Sequence, residues 1–305
     1  MGGPASMKVF VTGGTGYIGS AVALRLKKAG HDVSALVRSK EKGSALQAAG
    51  VKLIVGDLGN PAGYAATAWG VQAIVHLAQD HGPTGVDLDR KAISTARELL
   101  HGSVGGTFIY TSGIWVLGNT EGDAADEKHP LKPAQAVAWR PAHEQAALDL
   151  AKDGIRAVVV RPGIVYGGPG GVPAMFFGTA SKHGAAQMIG EGNNHWPLVH
   201  RDDLAELYVR LVERAPAGSI FHAADASTHT LREIAEACSR AAGKGEVSVQ
   251  PIEKARAQMG PFADALALDQ KVSSEKARTE LDWRPRHEDF VAEADKLYAE
   301  WHATQ

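Results

Sequence analysis

The chain has 305 residues, with 32 Lys and Arg against 34 Asp and Glu for a formal net charge of -2, and 44% of its residues are hydrophobic. This balance excludes a general polyanion binder, which needs excess positive charge to draw in phosphates, and no apolar run approaches the roughly 20 residues that cross a bilayer. The single cysteine, Cys238, excludes an intrachain disulfide and any cysteine-based metal cluster.

Residues 1–6 (MGGPAS) are small and patternless, so Met7 reads as the natural start and residues 1–6 as an appended remnant. No basic-then-apolar leader precedes the first strand, and a cytoplasmic location is expected. Short β-branched runs then alternate with helical stretches. Lys8–Val11 is followed by a Gly-rich turn and a helix over Tyr17–Ala29, and Asp32–Val37 by a helical stretch near Lys40–Ala49. Val51–Val55 leads into a polar, small-residue segment with Trp69, and Ala73–Leu77 into a helix over Leu88–Leu100. Thr107–Ser112, a helix around Pro141–Lys152 and Ile155–Arg161 complete the series. Six strands separated by helices predict an α/β chain with a Rossmann-type, doubly wound parallel sheet. Continuous apolar strands such as AVVV fit burial on both faces.

Past Arg161 the pattern breaks. Gly167–Gly171 (GGPGG) and Pro173 mark a loop. Asp202–Arg214 reads as a helix, with Asp202 or Asp203 as its N-cap. Ser219–His222 reads as a strand, Thr230–Ala242 as a helix, Val247–Val249 as a strand and Glu288–Trp301 as a closing helix. This part is expected to form a small mixed cap beside the C-terminal edge of the sheet, where ligands of open α/β sheets bind.

Thr12–Gly19 reads T-G-G-T-G-Y-I-G between a strand and a helix. In that context Gly13 permits a tight turn, Gly16 close approach to a pyrophosphate and Gly19 close helix packing. The free amides of Thr15, Gly16, Tyr17 and Ile18 then face the phosphates from the positive end of the helix. Residues 7–165 are therefore expected to be a dinucleotide-binding core. Residues 166–305 form the cap, with segments near 190–225 returning to the core. The second strand ends in Val37-Arg38-Ser39-Lys40 instead of an acid that would accept from the ribose hydroxyls. Arg38 and Lys40 suit a 2′-phosphate, which favours NADP over NAD, unless they are a solvated surface pair. Asp57 and Leu58 either hold the adenine amino group or, for Asp57, cap a helix. His76 reads as a strand residue, followed by Leu77, Ala78 and Gln79 beside the cofactor. Asp80 and His81 read as a solvated loop.

These residues resemble the extended short-chain dehydrogenase/reductase family, which includes nucleotide-sugar epimerases and dehydratases. The likeness rests on TGGTGYIG, Gly56-Asp57-Leu58, His76-Leu77-Ala78, Arg161-Pro162-Gly163-Ile164-Val165-Tyr166-Gly167, Val199-His200-Arg201-Asp202-Asp203-Leu204-Ala205 and Leu281-Asp282-Trp283-Arg284-Pro285, in that order. The resemblance implies a cofactor site that adds Thr111, Arg140, Pro162 and Ile164 to the residues above. It also implies a small-molecule substrate and a homodimer formed by two-helix packing. The family's Tyr-x-x-x-Lys pair, however, is missing: no such spacing occurs in the chain. One register puts Ala136 at the Tyr position and Arg140 at the Lys position; a second puts Trp139 and His143 there. The usual hydroxyl position falls on Gly113, beside Thr111 and Ser112. The chain thus reads as an atypical member.

Substitutes for the missing pair are few. His143 titrates near neutrality if exposed and is the best alternative acid or base. Ser112 is the nearest hydroxyl to the lost anchor, Arg140 can hold an oxygen or pair with Glu144 on the surface, and Tyr166 offers a phenol from the loop after the sixth strand. Gly113, Trp115, Trp139 and Tyr166 are expected to line the substrate pocket. No His pattern has metal-ligand spacing. Three readings follow: an NADP-dependent oxidoreductase of a small or medium carbonyl or alcohol, a dinucleotide sensor without catalysis, and a nucleotide-sugar epimerase or dehydratase.

Overall fold

The computed structural model describes residues 5–103, 105–122 and 124–305, so residues 1–4 of the expected remnant lie outside the described residues. The strands are β1 (Lys8–Thr12), β2 (Asp32–Val37), β3 (Lys52–Val55), β4 (Ala73–His76), β5 (Thr107–Thr111), β6 (Arg156–Pro162), β7 (Ile164–Tyr166), β8 (Ala185–Ile189), β9 (Leu198–His200), β10 (Ser219–Ala223) and β11 (Glu246–Gln250). Seven of them form one parallel sheet in the order β10-β6-β5-β4-β1-β2-β3. β7 pairs with β9 and β8 with β11 in two short parallel ladders. The chain runs outward from β1 through β2 to β3, then returns to lay β4 on the other side of β1. That reversal opens a crevice at the C-terminal ends of β1 and β4.

The helices are α1 (Tyr17–Lys28), α2 (Ser44–Ala48), α3 (Gly85–Leu100), α4 (Arg140–Leu148), α5 (Ala174–His183), α6 (Arg201–Arg214), α7 (Leu231–Ala241), α8 (Ile252–Met259), α9 (Pro261–Leu266), α10 (Glu275–Glu280) and α11 (Phe290–His302). α1 and α6 cover one face of the sheet, packing Val22, Leu26, Leu204, Tyr208 and Leu211 under Val9, Val11 and Ile109. On the other face, Ile93 and Leu99 of α3 and Ala147 of α4 meet Phe10, Ile74, Phe108 and Tyr110. Each large apolar side chain removed from water in these layers contributes roughly 1.5–3 kcal/mol. A third cluster, built on Phe176, Phe177, Met188, Trp196, Leu231, Leu266 and Phe290, forms the cap. Among the described residues no helix is long and apolar enough to cross a membrane.

The sheet has one strand more than the six-strand series predicts, because β10 comes back from beyond the cap to pair with β6. The glycine-rich segment Gly167–Gly171 and Pro173 lies between β7 and α5, and α5, β8 and β9 occupy the stretch before α6 that the sequence pattern leaves unassigned. The N-cap of α6 is His200, whose Nδ1 accepts from the Asp202 amide at 3.2 Å, and not Asp202 or Asp203. Asp203 instead accepts from the His287 amide at 2.9 Å. Asp57 caps no helix; its carboxylate accepts from the Gly59 amide at 2.7 Å and closes a turn after β3.

Candidate active site

β1 delivers the chain to Gly13, which has φ +71; a Cβ there would lie 2.6 Å from the Ala78 amide nitrogen. A Cβ on Gly19 would lie 2.1 Å from the Gly13 carbonyl oxygen, so α1 packs on the turn only because position 19 is glycine. The N-cap of α1 is Gly16, with no side chain capping it, and its leading amides are open to an outside acceptor. Thr15 and Gly16 are exposed, while Tyr17 and Ile18 are half-buried. The Tyr17 hydroxyl donates to the Gly167 carbonyl at 2.7 Å, fastening the 167–171 loop over the start of α1. Arg38, Lys40 and Asp57 are exposed just past β2 and β3, and Leu58, Leu77 and Ala78 are half-buried. An uncapped helix end, a turn with no room for Cβ and two exposed cations fit the phosphates and adenosine of a nicotinamide dinucleotide.

Beneath this edge lies a buried polar chain. Thr12 Oγ1 meets His76 Nδ1 at 2.7 Å, and His76 Nε2 meets Asp89 Oδ1 at 3.2 Å. The other Asp89 oxygen takes His143 Nδ1 at 2.6 Å and the Tyr110 hydroxyl at 2.8 Å. Burial alone would raise the Asp89 carboxyl, but hydrogen bonds from His76, His143 and Tyr110 bring it down to about 2. Burial and the Asp89 charge push the Tyr110 phenol up. Thr12 Oγ1 also accepts from the Leu77 and Ala78 amides, at 3.3 and 3.4 Å. The network therefore ties β1, β4, α3, β5 and α4 together under the glycine turn. Sequence reasoning missed Asp89. The available signal was an acid on the apolar face of α3, four residues before Ile93 and seven before Ala96.

At the C-terminal end of β5, Ser112 is 8% exposed and its hydroxyl has no hydrogen-bond partner. Beside it, Arg140 donates from Nη1 to the Thr111 carbonyl at 3.0 Å and from Nη2 to Gln79 Oε1 at 2.8 Å. Its guanidinium lies 4.6 Å from the centre of the Trp139 ring. Thr111 Oγ1 pairs with the Tyr208 hydroxyl at 2.7 Å. Pro162 and Ile164 are buried where β6 passes into β7. Gly113 opens the turn that carries Trp115.

Three expectations change here. Arg140 and Glu144 do not pair on the surface: both are buried, and Glu144 binds Arg161 through two bonds of 3.0 and 2.6 Å. His143 is not an exposed imidazole; it is 5% exposed and its Nδ1 is committed to Asp89. Tyr166 is no loop aromatic on the pocket. It ends β7 at 1% exposure, with its hydroxyl 3.4 Å from both Asp225 Oδ2 and the His287 carbonyl. Burial and the Asp225 charge raise its phenol. The structure thus brings Ser112, Arg140 and Trp139 to the crevice and leaves Tyr166 outside it. The ligating atoms of His200, Asp203 and His287 come within 4.8 Å of one another, but His200 Nδ1 is used in capping α6 and His287 Nδ1 meets Glu293 at 2.6 Å.

A sequence model described as the NAD dependent epimerase/dehydratase family matches residues 9–224, from β1 to the end of β10. The chain belongs to that family. Within it, the chain is 26% identical over 330 residues to a UDP-glucose 4-epimerase of Corynebacterium glutamicum, covering 96% of this chain and 95% of that one. It is 28% identical over 281 residues to a 2-alkyl-3-oxoalkanoate reductase of Stenotrophomonas maltophilia, covering 85% and 83%. Its fold is similar to the crystal structure of DesIV, a dTDP-glucose 4,6-dehydratase from Streptomyces venezuelae with NAD and TYD bound. That match has a TM-score of 0.83 and 20% identity over 97% of both chains. Epimerase, reductase and dehydratase relatives share this family frame, so the side chains in the crevice must separate the activities.

Proposed function

We propose that this family member is an NADP-dependent oxidoreductase acting on a small or medium carbonyl or alcohol without a Tyr-x-x-x-Lys pair. The observation that carries the reading is Ser112: a buried hydroxyl with no partner, next to a guanidinium held on the Thr111 carbonyl. A buried polar atom left unpaired costs free energy comparable to a lost hydrogen bond, so the position suits a ligand oxygen. The Ser112 hydroxyl holds the substrate oxygen, and the always-charged Arg140 favours negative charge developing on it. Arg140 also holds the ribose end of the cofactor. A bound nicotinamide dinucleotide supplies or accepts the hydride at carbon. In the reducing direction one proton from water completes the alcohol. His143 is assigned a positioning role, because Asp89 occupies its Nδ1. Tyr166 is assigned none in proton transfer, because its raised phenol points at Asp225. Homodimer formation by two-helix packing belongs to the same reading.

The test is NADPH oxidation across a panel of aldehydes and ketones. Ser112→Ala and Arg140→Ala are each expected to lower kcat by about 10²-fold, the usual loss on removing one oxyanion donor. Unchanged turnover in both variants overturns the assignment. Ala136, where the family's proton-transferring Tyr is expected, favours a second reading, that of a dinucleotide sensor. Tight NADPH binding with no turnover on any carbonyl would select it. The same alanine weighs against epimerisation of a sugar, which needs proton removal from a carbinol.

A further inference from the structure

Past the end of β10, at the outer edge of the sheet, lies a cavity of about 290 Å³. Three segments wall it: residues 195–197 ahead of β9, residues 224–228 after β10, and residues 270–275 leading into α10, which adds Arg278. Neither the glycine turn nor Ser112, Trp139 or Arg140 lines it. β10 stands three strands from β4, about 14 Å at the usual strand spacing, so the cavity is separate from the dinucleotide crevice. Its polar groups carry both signs. Asp225 is 6% exposed; its Oδ1 accepts from the Ser227 amide at 3.0 Å, and its Oδ2 lies 3.4 Å from the Tyr166 hydroxyl. Each oxygen keeps a lone pair. Burial lifts this carboxyl to about 7, as expected of an acid short of a counter-charge. The Ser227 hydroxyl is buried as well and has no hydrogen-bond partner. The third segment brings two cations. Lys271 is exposed and in no ion pair among the described residues. The Arg278 guanidinium donates to Glu288 at 2.8 Å and keeps further N–H groups. Pro197, Ala226 and Val272 add apolar surface.

From this we infer that the cavity is a second binding site, for a small amino acid with an apolar side chain. The ligand's ammonium meets Asp225 and the Ser227 hydroxyl, its carboxylate meets Lys271 and Arg278, and its side chain meets the apolar surface. Charge-assisted bonds of this kind are the strong ones. A ligand of one charge would bring a like charge against one of the two sets. A neutral ligand would take water from both sets and return no charge to either. Glu275 also lines the cavity, but it is exposed at the start of α10, where water satisfies it. No group of this site takes part in hydride transfer, so the site stands or falls independently of the oxidoreductase reading.

The test is calorimetry at pH 8, where the Asp225 carboxyl is ionised, on the protein with and without NADPH. The probes are L-leucine, 4-methylpentanoate, which lacks the ammonium, 3-methylbutylamine, which lacks the carboxylate, and glucose. Leucine is expected to bind more tightly than each of the others by about tenfold or more, a factor equal to about 1.4 kcal/mol. NADPH should leave its affinity unchanged. Asp225→Asn is expected to remove most of leucine's advantage over 4-methylpentanoate while keeping its advantage over 3-methylbutylamine. Lys271→Ala is expected to cut the advantage over 3-methylbutylamine and spare the other. A merely structural defect would weaken all the probes together. Thermal unfolding checks that the variants fold, and the exposure of Lys271 makes its replacement the safer of the two. Absence of heat with leucine, equal binding of either analogue, tighter binding of glucose, or both advantages unmoved by the two variants overturns the inference. Competition between leucine and NADPH does so as well, because it would put the ligand in the crevice.

Discussion

Arg38 follows the last residue of β2 and is exposed, and Lys40 is exposed two residues later. No acid stands at that strand end to accept from two ribose hydroxyls, and a guanidinium there matches a phosphate in charge and geometry. A charge-assisted contact of this kind contributes about 1.5–3 kcal/mol. Arg38→Ala is therefore expected to raise the NADPH Kd by tenfold or more and to leave the NADH Kd within a factor of two or so. Fluorescence titration with both cofactors reads the difference. Equal weakening of the two would remove the basis for an NADP preference. Ser112 shows the complementary point: its interest lies in what it does not touch. The sequence marks Ser112 only by its place beside the usual hydroxyl position; the fold adds that its oxygen is buried without a partner.

Helix α4 combines three tasks within five residues. Arg140 faces the crevice, His143 holds Asp89, and Glu144 binds Arg161 of β6. The last pair is buried, with Glu144 3% and Arg161 2% exposed, and removing one partner strands a charge away from water. Glu144→Ala is expected to cost about 3–5 kcal/mol of unfolding free energy. Urea denaturation measures it, and a loss below about 1 kcal/mol would mean that water reaches Arg161 and screens it. This helix also marks where sequence reading ends. The glycine turn was legible because it depends on backbone sterics at fixed positions between a strand and a helix. The partner of Glu144 was not: its four-residue spacing from Arg140 suggested a pair within the helix, while Arg161 stands 17 positions away on a strand. The six leading strands were legible because each is a run of apolar residues bounded by helical periodicity. β7 and β9 have three residues each, and α9 and α10 six, too few to establish a period.

Across the whole molecule, buried titratable groups set opposing pH trends. Burial and neighbouring positive charge hold His200 at about 4 and His222 at about 3, below the ordinary 6.5. The unfolded chain therefore takes up protons first, and this contribution to stability is full above about pH 6.5 and lost as pH falls toward those values. Asp225 acts in the other direction. Burial raises its carboxyl from 3.8 to about 7. Its protonated form is favoured in the folded state, so that contribution is present at pH 4 and lost as pH rises through 7. Asp225→Asn is expected to gain on the natural chain between pH 5 and pH 8, by an amount on the order of a few kcal/mol. Unfolding curves at the two pH values test this; a constant difference between variant and natural chain contradicts it.

The tether from the Tyr17 phenol to the Gly167 carbonyl has a mechanical consequence. One side chain belongs both to the first turn of α1, beside the glycine turn, and to the strap that leads into α5, so the two are joined by a direct hydrogen bond. Any displacement of the start of α1 is thereby transmitted to the 167–171 strap, and any lift of the strap pulls on the first turn of the helix.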